Sequence, residues 1–323
     1  VALFLAHLGA VTGEVRWTAL ARAAAAAWRR PAAEARAEEP DALAPLGLFD
    51  GLGGQLYVMA QLTNLWDGEP ALRDELAALV AEARAALGEA DEDEEPGLAG
   101  GLAGLLVGLL AAHAAGERAA LAVAKLAGRA LLRAQQLPAT EPLDPYDRRS
   151  IFALYFAEPL GAAAPLLELA ALTGTTAPRA AAEALLDKAD ADDLSLWPAY
   201  LAARPWLPGD RRAQFDAALM TALPQMLSRA TDNHSLGRGA LGPLDLLRSA
   251  AAALGDSTLE DLTARHAAAV LADMRQNGPR SGAPLGVNTP GLLVGLAGIG
   301  YGLLRLAAPA TVPSPLMAAA RGG

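Results

Sequence analysis

Cysteine is absent from this chain of 323 residues. Its absence excludes disulfide bonds, thiolate metal ligands and a cysteine nucleophile. Aromatic residues make up only 5% of the chain and charged residues only 19%. The net charge of -10 comes without a cluster of Lys and Arg that could neutralise phosphates, so the sequence argues against a nucleic-acid-binding protein.

The residues that dominate the chain are Ala and Leu, whereas β-branched and aromatic residues are scarce, so the sequence predicts an all-α fold. Two uncharged runs, residues 97–116 and 281–304, are long enough to raise the question of membrane spans. Because both are rich in Gly and Ala, they predict buried helices instead. The apolar N-terminus lacks the basic region and cleavage site of a signal peptide, so we expect a cytoplasmic protein. Since the sequence begins at Val1 without an initiator Met, we also expect it to be the C-terminal part of a longer chain.

A glycine cluster that opens an apolar helix recurs along the sequence, starting at Gly47, Gly97, Gly237 and Gly291, with a weaker copy at Glu158. The intervening segments, such as ALRDELAALVAEARAAL, carry charges on one side and predict amphipathic outer helices. This alternation predicts an α/α toroid, a double-layered helical barrel of inner and outer helices, formed as a single domain over residues 1–323. An open solenoid of helix pairs shares the local pattern and is the alternative.

The segment NTPGLLVGLAGIGYGLLRLAAPATVPSP, residues 288–315, predicts a buried helix that starts among closely packed glycines. It resembles the closing motif of the LanC-like cyclase domain at the C-terminal end of class II (LanM-type) lanthipeptide synthetases. The segment NHSLGRGALGPLDLL from Asn233 resembles the same family. The resemblance implies an α/α barrel that adds Cys thiols of a precursor peptide across dehydroamino acids, forming lanthionine rings. It also implies two partners, the precursor peptide and an N-terminal dehydratase domain in the same chain.

The resembled family uses a zinc ion that lowers the pKa of the substrate thiol. Its S-L-C-H-G motif supplies two ligands, which correspond here to Gly237 and Arg238, and its W-C-H-G motif supplies a third, which corresponds to Pro198 in WPAY. None of these three residues coordinates zinc, so no metal cofactor is expected. No position carries the catalytic apparatus of the family intact, and the catalytic residues stay unknown.

The predicted peptide-binding residues are His234, Arg238, Trp197, Tyr200 and Glu158. His234 immediately precedes the former ligand loop and is expected at the barrel mouth, although a role in hydrogen-bonding the loop is the alternative. The guanidinium of Arg238 could stand at the vacated ligand position as a fixed charge, or clamp a carboxylate of the peptide or of Glu158. His7 and His113 lie in apolar helical runs and are predicted to be buried or at helix ends.

Several functions agree with these residues. The favoured interpretation is a zinc-less pseudo-cyclase that binds the peptide or braces a neighbouring domain, and an active zinc-dependent cyclase is opposed by the missing ligands. A metal-independent peptide cyclase is an alternative. A glycan-processing α/α-barrel enzyme is another, with Asp50, Glu158 and Asp245 as candidate carboxylates. Capping or solvent exposure at glycine-rich helix starts explains Asp50 and Asp245 more simply.

Overall fold

The computed structural model describes residues 1–38, 45–49, 51–67, 69–89, 94–135, 160–189, 196–228, 232–237 and 239–317. The α-helices in these ranges are α1 (Ala2–Thr12), α2 (Val15–Glu38), α3 (Leu52–Leu65), α4 (Pro70–Glu89), α5 (Leu102–Ala114), α6 (Ala119–Ala134), α7 (Ala163–Thr173), α8 (Thr176–Asp187), α9 (Leu196–Ala203), α10 (Gly209–Ser228), α11 (Leu241–Leu254), α12 (Ser257–Asn277) and α13 (Leu296–Ala307). Strands do not occur in the described ranges. The all-α prediction is confirmed, and this succession of helices is consistent with the predicted α/α toroid.

The chain divides into two compact units. The first comprises Val1–Glu39, Ala213–Leu316 and Gly322–Gly323, and the second comprises Pro40–Arg212 and Met317–Arg321. The formation of a single domain by residues 1–323 stays a prediction.

In the second unit, α3 and α5 pack backbone against backbone. A Cβ added at Gly53 would lie closer than 3.0 Å to the carbonyl oxygen of Gly104, and one added at Gly108 would be equally close to the carbonyl oxygen of Gly53. Because real Cβ atoms do not approach so closely, only glycine allows this packing distance. α5 is thereby buried along nearly its whole length.

α4 and α6 lie beside these buried helices and are amphipathic, as the sequence predicts. α6 buries Val123, Ala127 and Leu131, whereas Lys125 and Arg129 are exposed on its other side. Apolar residues at this helical spacing bury one face while the charged residues stay in water, which stabilises the helix through packing rather than through propensity.

In the first unit, α13 packs against α1 and α11. Gly300 of α13 receives the ring of Phe4, and a Cβ at that position would collide with the ring. α13 begins at Leu296 with Gly295 as its N-cap, so the helix starts among the glycines of this segment. Gly291 therefore belongs to a loop that precedes the helix and not to the helix itself.

A buried ion pair joins α13 to α11 in the same unit. Arg305 Nε donates to Asp245 Oδ1 at 2.8 Å, and its Nη2 donates to Ser249 Oγ at 2.9 Å. The following tail is held by the same pair, since Arg305 Nη1 donates to the Val312 carbonyl and Ser314 Oγ donates to Asp245 Oδ2. The expectation that Asp245 caps a helix or faces solvent is wrong, because its carboxylate is 2% exposed and neutralised by Arg305.

The described helices include none that is long and apolar enough to cross a membrane.

Candidate functional site

Four segments of eight residues, each running from a loop into the first turn of a helix, share one set of backbone contacts among their described residues, and we call them glycine loops: residues 47–54, 97–104, 235–242 and 291–298. Their sequences are GLFDGLGG, GLAGGLAG, SLGRGALG and GLLVGLAG. The first two belong to the second unit and the last two to the first unit. The third contains the S-L-x-x-G segment that the sequence singles out as the former ligand loop.

One hydrogen bond recurs in every glycine loop. The backbone N–H of the sixth residue donates to the carbonyl located seven positions earlier in the chain, in the pairs Leu52 to Pro45 at 2.8 Å, Leu102 to Glu95 at 2.8 Å, Ala240 to Asn233 at 3.0 Å and Leu296 to Thr289 at 2.8 Å. This bond satisfies an N–H that the first turn of a helix leaves without an intrahelical partner. Each glycine loop is therefore a backbone cap for the helix that follows.

The glycines at the fifth and eighth positions of each loop make this geometry possible. A Cβ at the fifth position, in Gly51, Gly101, Gly239 and Gly295, would lie closer than 3.0 Å to the carbonyl oxygen six residues earlier. A Cβ at the eighth position, in Gly54, Gly104, Gly242 and Gly298, would be equally close to the carbonyl oxygen of the second residue of its loop. The repeat identified in the sequence is thus a repeat of backbone structure.

Within each unit, two glycine loops are joined through their third residues. In the second unit, Phe49 N–H donates to the Ala99 carbonyl at 3.2 Å. In the first unit, Gly237 N–H donates to the Leu293 carbonyl at 2.6 Å. Gly237 therefore has its backbone donor engaged by the neighbouring loop and carries no side chain.

His234 lies directly before the third glycine loop and is 2% exposed. Its Nδ1 accepts a hydrogen bond from Arg280 N–H at 2.9 Å, and its Nε2 lies 2.6 Å from Asp273 Oδ2. Because Nδ1 is an acceptor, the ring of a neutral His234 carries its proton on Nε2 and donates it to Asp273. The backbone of His234 also donates to the Arg280 carbonyl at 2.9 Å. His234 therefore makes hydrogen bonds that hold the loop, which is the alternative that the sequence analysis gave for it.

Asp273 is the anionic centre of this network. Its Oδ2 also accepts from Arg280 Nη2 at 2.6 Å, and its Oδ1 accepts from Asn277 Nδ2 at 2.6 Å. The hydrogen bonds from Asn277 and His234, with a smaller contribution from the charge of Arg280, hold the pKa of Asp273 below its usual 3.8. The carboxylate therefore stays ionised at neutral pH and orients the imidazole of His234.

The other side chains before the third loop stabilise its turn. Asn233 Oδ1 accepts from both Ser235 N–H at 3.0 Å and Ser235 Oγ at 2.7 Å. Gly282 comes close to both residues, because a Cβ at Gly282 would collide with Ser235 Oγ. Gly282 N–H donates in turn to the Val294 carbonyl at 2.8 Å, which ties the segment after Arg280 to the fourth glycine loop.

The other predicted peptide-binding residues do not join this network in the described structure. Trp197 and Tyr200 lie in the second unit, and both side chains are 0% exposed. Their rings pack edge to face with the ring centroids 6.2 Å apart. Tyr200 Oη donates to the Arg212 carbonyl at 3.2 Å. Both rings are core residues here, and their contact with a peptide stays a prediction. Arg238 and Glu158 lie outside the described residues, as does Asp50.

The residues at the corresponding ligand positions do not fit a zinc ion. Gly237 has no side chain, Pro198 has no donor atom, and the whole chain has no Cys thiolate to offer. In the part of the chain that the structure describes, no group of three or more His, Asp or Glu is placed to hold a metal ion.

Sequence reasoning missed the partners of His234. Asp273 lies 39 residues and Arg280 46 residues further along the chain. No spacing rule relates residues so far apart. The pair Asp273 and Asn277 at the end of α12 has the i, i+4 spacing of helical neighbours, which is the one local signal that the sequence offers.

The glycine loops and the helices they cap define an all-α protein with an internal repeat. Residues 207–317 match the family described as lanthionine synthetase C-like protein. This match covers about a third of the chain and includes the third and fourth glycine loops, the His234 network and the Arg305 ion pair. No curated protein matches the chain.

Proposed function

We propose that this chain is a LanC-like domain of a class II lanthipeptide synthetase that binds the precursor peptide without zinc-dependent thioether formation. The family match over residues 207–317 supports a peptide substrate, because the resembled family acts on peptides. The domain would work in the cytoplasm beside a dehydratase domain of the same chain.

The observation that carries the proposal is that His234 and Gly237 are both engaged in hydrogen bonds of the fold. Both ring nitrogens of His234 are engaged by Arg280 and Asp273, so the ring cannot accept a substrate proton without breaking a hydrogen bond of the fold. The resemblance aligns Gly237 with a zinc ligand of the family, and Gly237 bonds only through its backbone. These bonds support a loop that holds a conformation and does not supply a metal ligand or a general base.

Peptide contacts are proposed at Arg238 above all, because a guanidinium at a former ligand position can bind a carboxylate with two parallel hydrogen bonds. Glu158 stays a second predicted contact, whereas His234, Trp197 and Tyr200 are buried and are not part of the proposed binding surface. Replacing Arg238 by Ala should weaken peptide binding by about 1 to 3 kcal/mol. The matched control is Arg248→Ala, which removes one guanidinium from α11.

The deciding experiment uses a synthetic peptide that contains one Cys and one dehydroalanine, labelled with fluorescein. Binding is measured by fluorescence anisotropy, and ring formation by loss of the free thiol. Saturable binding without thiol loss is the expected result. Thiol loss in the presence of a chelator would instead identify a metal-independent cyclase, and thiol loss that requires added zinc would show that the ligand positions are misassigned. Absence of binding would refute the proposal.

A further inference from the structure

His234 and Arg280 are joined by a reciprocal pair of hydrogen bonds. The backbone N–H of His234 donates to the carbonyl of Arg280 at 2.9 Å, and the backbone N–H of Arg280 donates to Nδ1 of the His234 ring at 2.9 Å. The His234 side chain is buried, so this ring nitrogen lies away from bulk water. One side of the bridge between the two residues therefore depends on the ring as a hydrogen-bond acceptor.

The bridge fits only one protonation state of the ring. A neutral imidazole with its proton on Nε2 donates to Asp273 and accepts at Nδ1, as the two bonds require. A protonated imidazole carries a hydrogen on both nitrogens. Its Nδ1–H would point at the N–H of Arg280, and two donors that face each other cannot form a hydrogen bond. Protonation of His234 therefore breaks the bond that the Arg280 N–H makes.

Asp273 and Arg280 face the ring of His234 with opposite charges. Asp273 Oδ2 lies 2.6 Å from Nε2 and attracts a protonated ring. The same oxygen accepts from Arg280 Nη2 at 2.6 Å, so the guanidinium offsets that attraction. Asp232 meets this guanidinium through its backbone carbonyl, which accepts from Arg280 Nε at 2.9 Å. Arg238 lies outside the described residues, and the fourth glycine loop contains no charged residue.

Asp273 does not itself change charge in mild acid. The hydrogen bonds from Asn277 and His234 hold its pKa below its usual 3.8. Histidine is the side chain whose charge ordinarily changes between pH 5 and 8. In this cluster, a change of protonation in that range therefore occurs on the imidazole.

The segment that follows Arg280 is anchored to both glycine loops of this unit. Gly282 N–H donates to the Val294 carbonyl of the fourth loop at 2.8 Å. Gly282 also lies so close to Ser235 of the third loop that a Cβ would collide with the Ser235 hydroxyl. Because Gly282 is only two residues from Arg280, loss of the Arg280 bond loosens the junction between this segment and the two loops.

We propose that His234 is a proton-sensitive latch, whose neutral ring holds residues 280–282 against the third and fourth glycine loops and whose protonated ring releases them. The latch follows from a buried ring that must accept one hydrogen bond and donate the other. It goes beyond the proposed function and does not depend on peptide binding, so each can fail without the other.

The test follows the protein by nuclear magnetic resonance from about pH 7.5 to about pH 5. Ring nitrogen shifts report which nitrogens of His234 carry protons. Hydrogen exchange, corrected for the intrinsic rate at each pH, reports the protection of the Arg280 and Gly282 amides. His234→Asn keeps an acceptor, because the Asn amide oxygen replaces Nδ1 and does not titrate. Asp273→Asn removes the negative charge that attracts a protonated ring. His266→Asn, which removes another histidine from α12, is the matched control.

The wild-type ring should carry one proton, on Nε2, at about pH 7.5. When the second proton binds, the Arg280 and Gly282 amides should lose protection about tenfold. His234→Asn should show no such loss, and His266→Asn should show the same loss as the wild type. Asp273→Asn should show the loss at a lower pH. Any general effect of acid, to which His7 contributes, is shared by the wild type and all the variants.

Three results would overturn the inference. The first is a His234 ring that already holds two protons at about pH 7.5. The second is unchanged protection of either amide while the ring titrates, and the third is a tenfold loss that persists in His234→Asn. If His234→Asn does not fold, Asp273→Asn decides the question, since a loss of protection at the same pH as in the wild type would show that the ring is not the trigger.

Discussion

Acidification should destabilise the packing of α1 through His7. This side chain is 1% exposed and lies edge to face on Tyr301, with ring centroids 5.5 Å apart. Neither ring nitrogen has a hydrogen-bond partner among the described residues. Burial lowers the pKa of His7 from 6.5 to about 4, because the protonated ring would lose its hydration without gaining a partner.

The sign follows from this lowered pKa. Above pH 6.5 His7 is neutral in the folded and unfolded chain, and its titration has no effect on stability. As the pH falls below 6.5 the unfolded chain binds a proton first, so stability is lost until about pH 4, where the folded chain is protonated as well. The fall of the pKa from 6.5 to about 4 corresponds to a total loss of about 3 kcal/mol in the free energy of unfolding. At pH 5 the expected loss is about 2 kcal/mol.

The assay is urea denaturation of the wild-type protein and of His7→Leu at pH 7 and pH 5. Leu fills a similar volume and does not titrate, and every other ionisable group is common to both proteins. The wild type should lose about 2 kcal/mol more than the variant between these two pH values. If both proteins lose the same free energy of unfolding, His7 does not titrate as its burial requires, and the reasoning is refuted.

Three further predictions test the fold and the site. Gly104→Ala should lower the free energy of unfolding by about 1 to 3 kcal/mol, because the new methyl group would collide with the Leu98 carbonyl. Gly88→Ala on α4 brings the methyl group near no other atom and should raise the free energy of unfolding by about 1 kcal/mol. A urea titration that ranks the two equally would contradict the close packing of the glycine loops. Arg305→Ala should cost about 3 to 5 kcal/mol by leaving the carboxylate of Asp245 buried without its cation, and a loss below about 1 kcal/mol would show that this pair is solvated. The proposed metal-free function predicts that dialysis against EDTA leaves the melting temperature unchanged; a lower melting temperature after chelation would reveal a bound metal.

Local patterns in the sequence predicted the helices and the repeat. The alternation of apolar and amphipathic segments places buried and outer helices in order, as α5 and α6 show. The sequence leaves the first residue of α13 open, because glycines at helical intervals resemble the small face of a buried helix. In the structure Gly291 belongs to the loop and Gly295 is the N-cap, a distinction that depends on which carbonyl each glycine approaches.

Long-range pairs were beyond the reach of the sequence. Asp245 and Arg305 are 60 residues apart, and only the packing of α11 against α13 brings them together. His234 and Asp273 depend in the same way on the end of α12 returning to the third glycine loop. A buried ion pair and a surface carboxylate have the same sequence signature, so burial alone separates the structural role of Asp245 from the catalytic one considered for it.

The four glycine loops share their backbone contacts although the residues at two of their positions vary. The fifth and eighth positions are glycine in all four loops, because close carbonyl contacts leave no room for a Cβ. The third and fourth positions differ in every loop, as Phe-Asp, Ala-Gly, Gly-Arg and Leu-Val. At the third position the contact between loops is made by backbone atoms, as in Phe49 and Gly237. In the third loop these positions are Gly237 and Arg238, and the resemblance aligns them with the Cys and His ligands of the resembled family. The hydrogen bonds that the loops share join backbone atoms, so they do not depend on which side chains stand at the third and fourth positions.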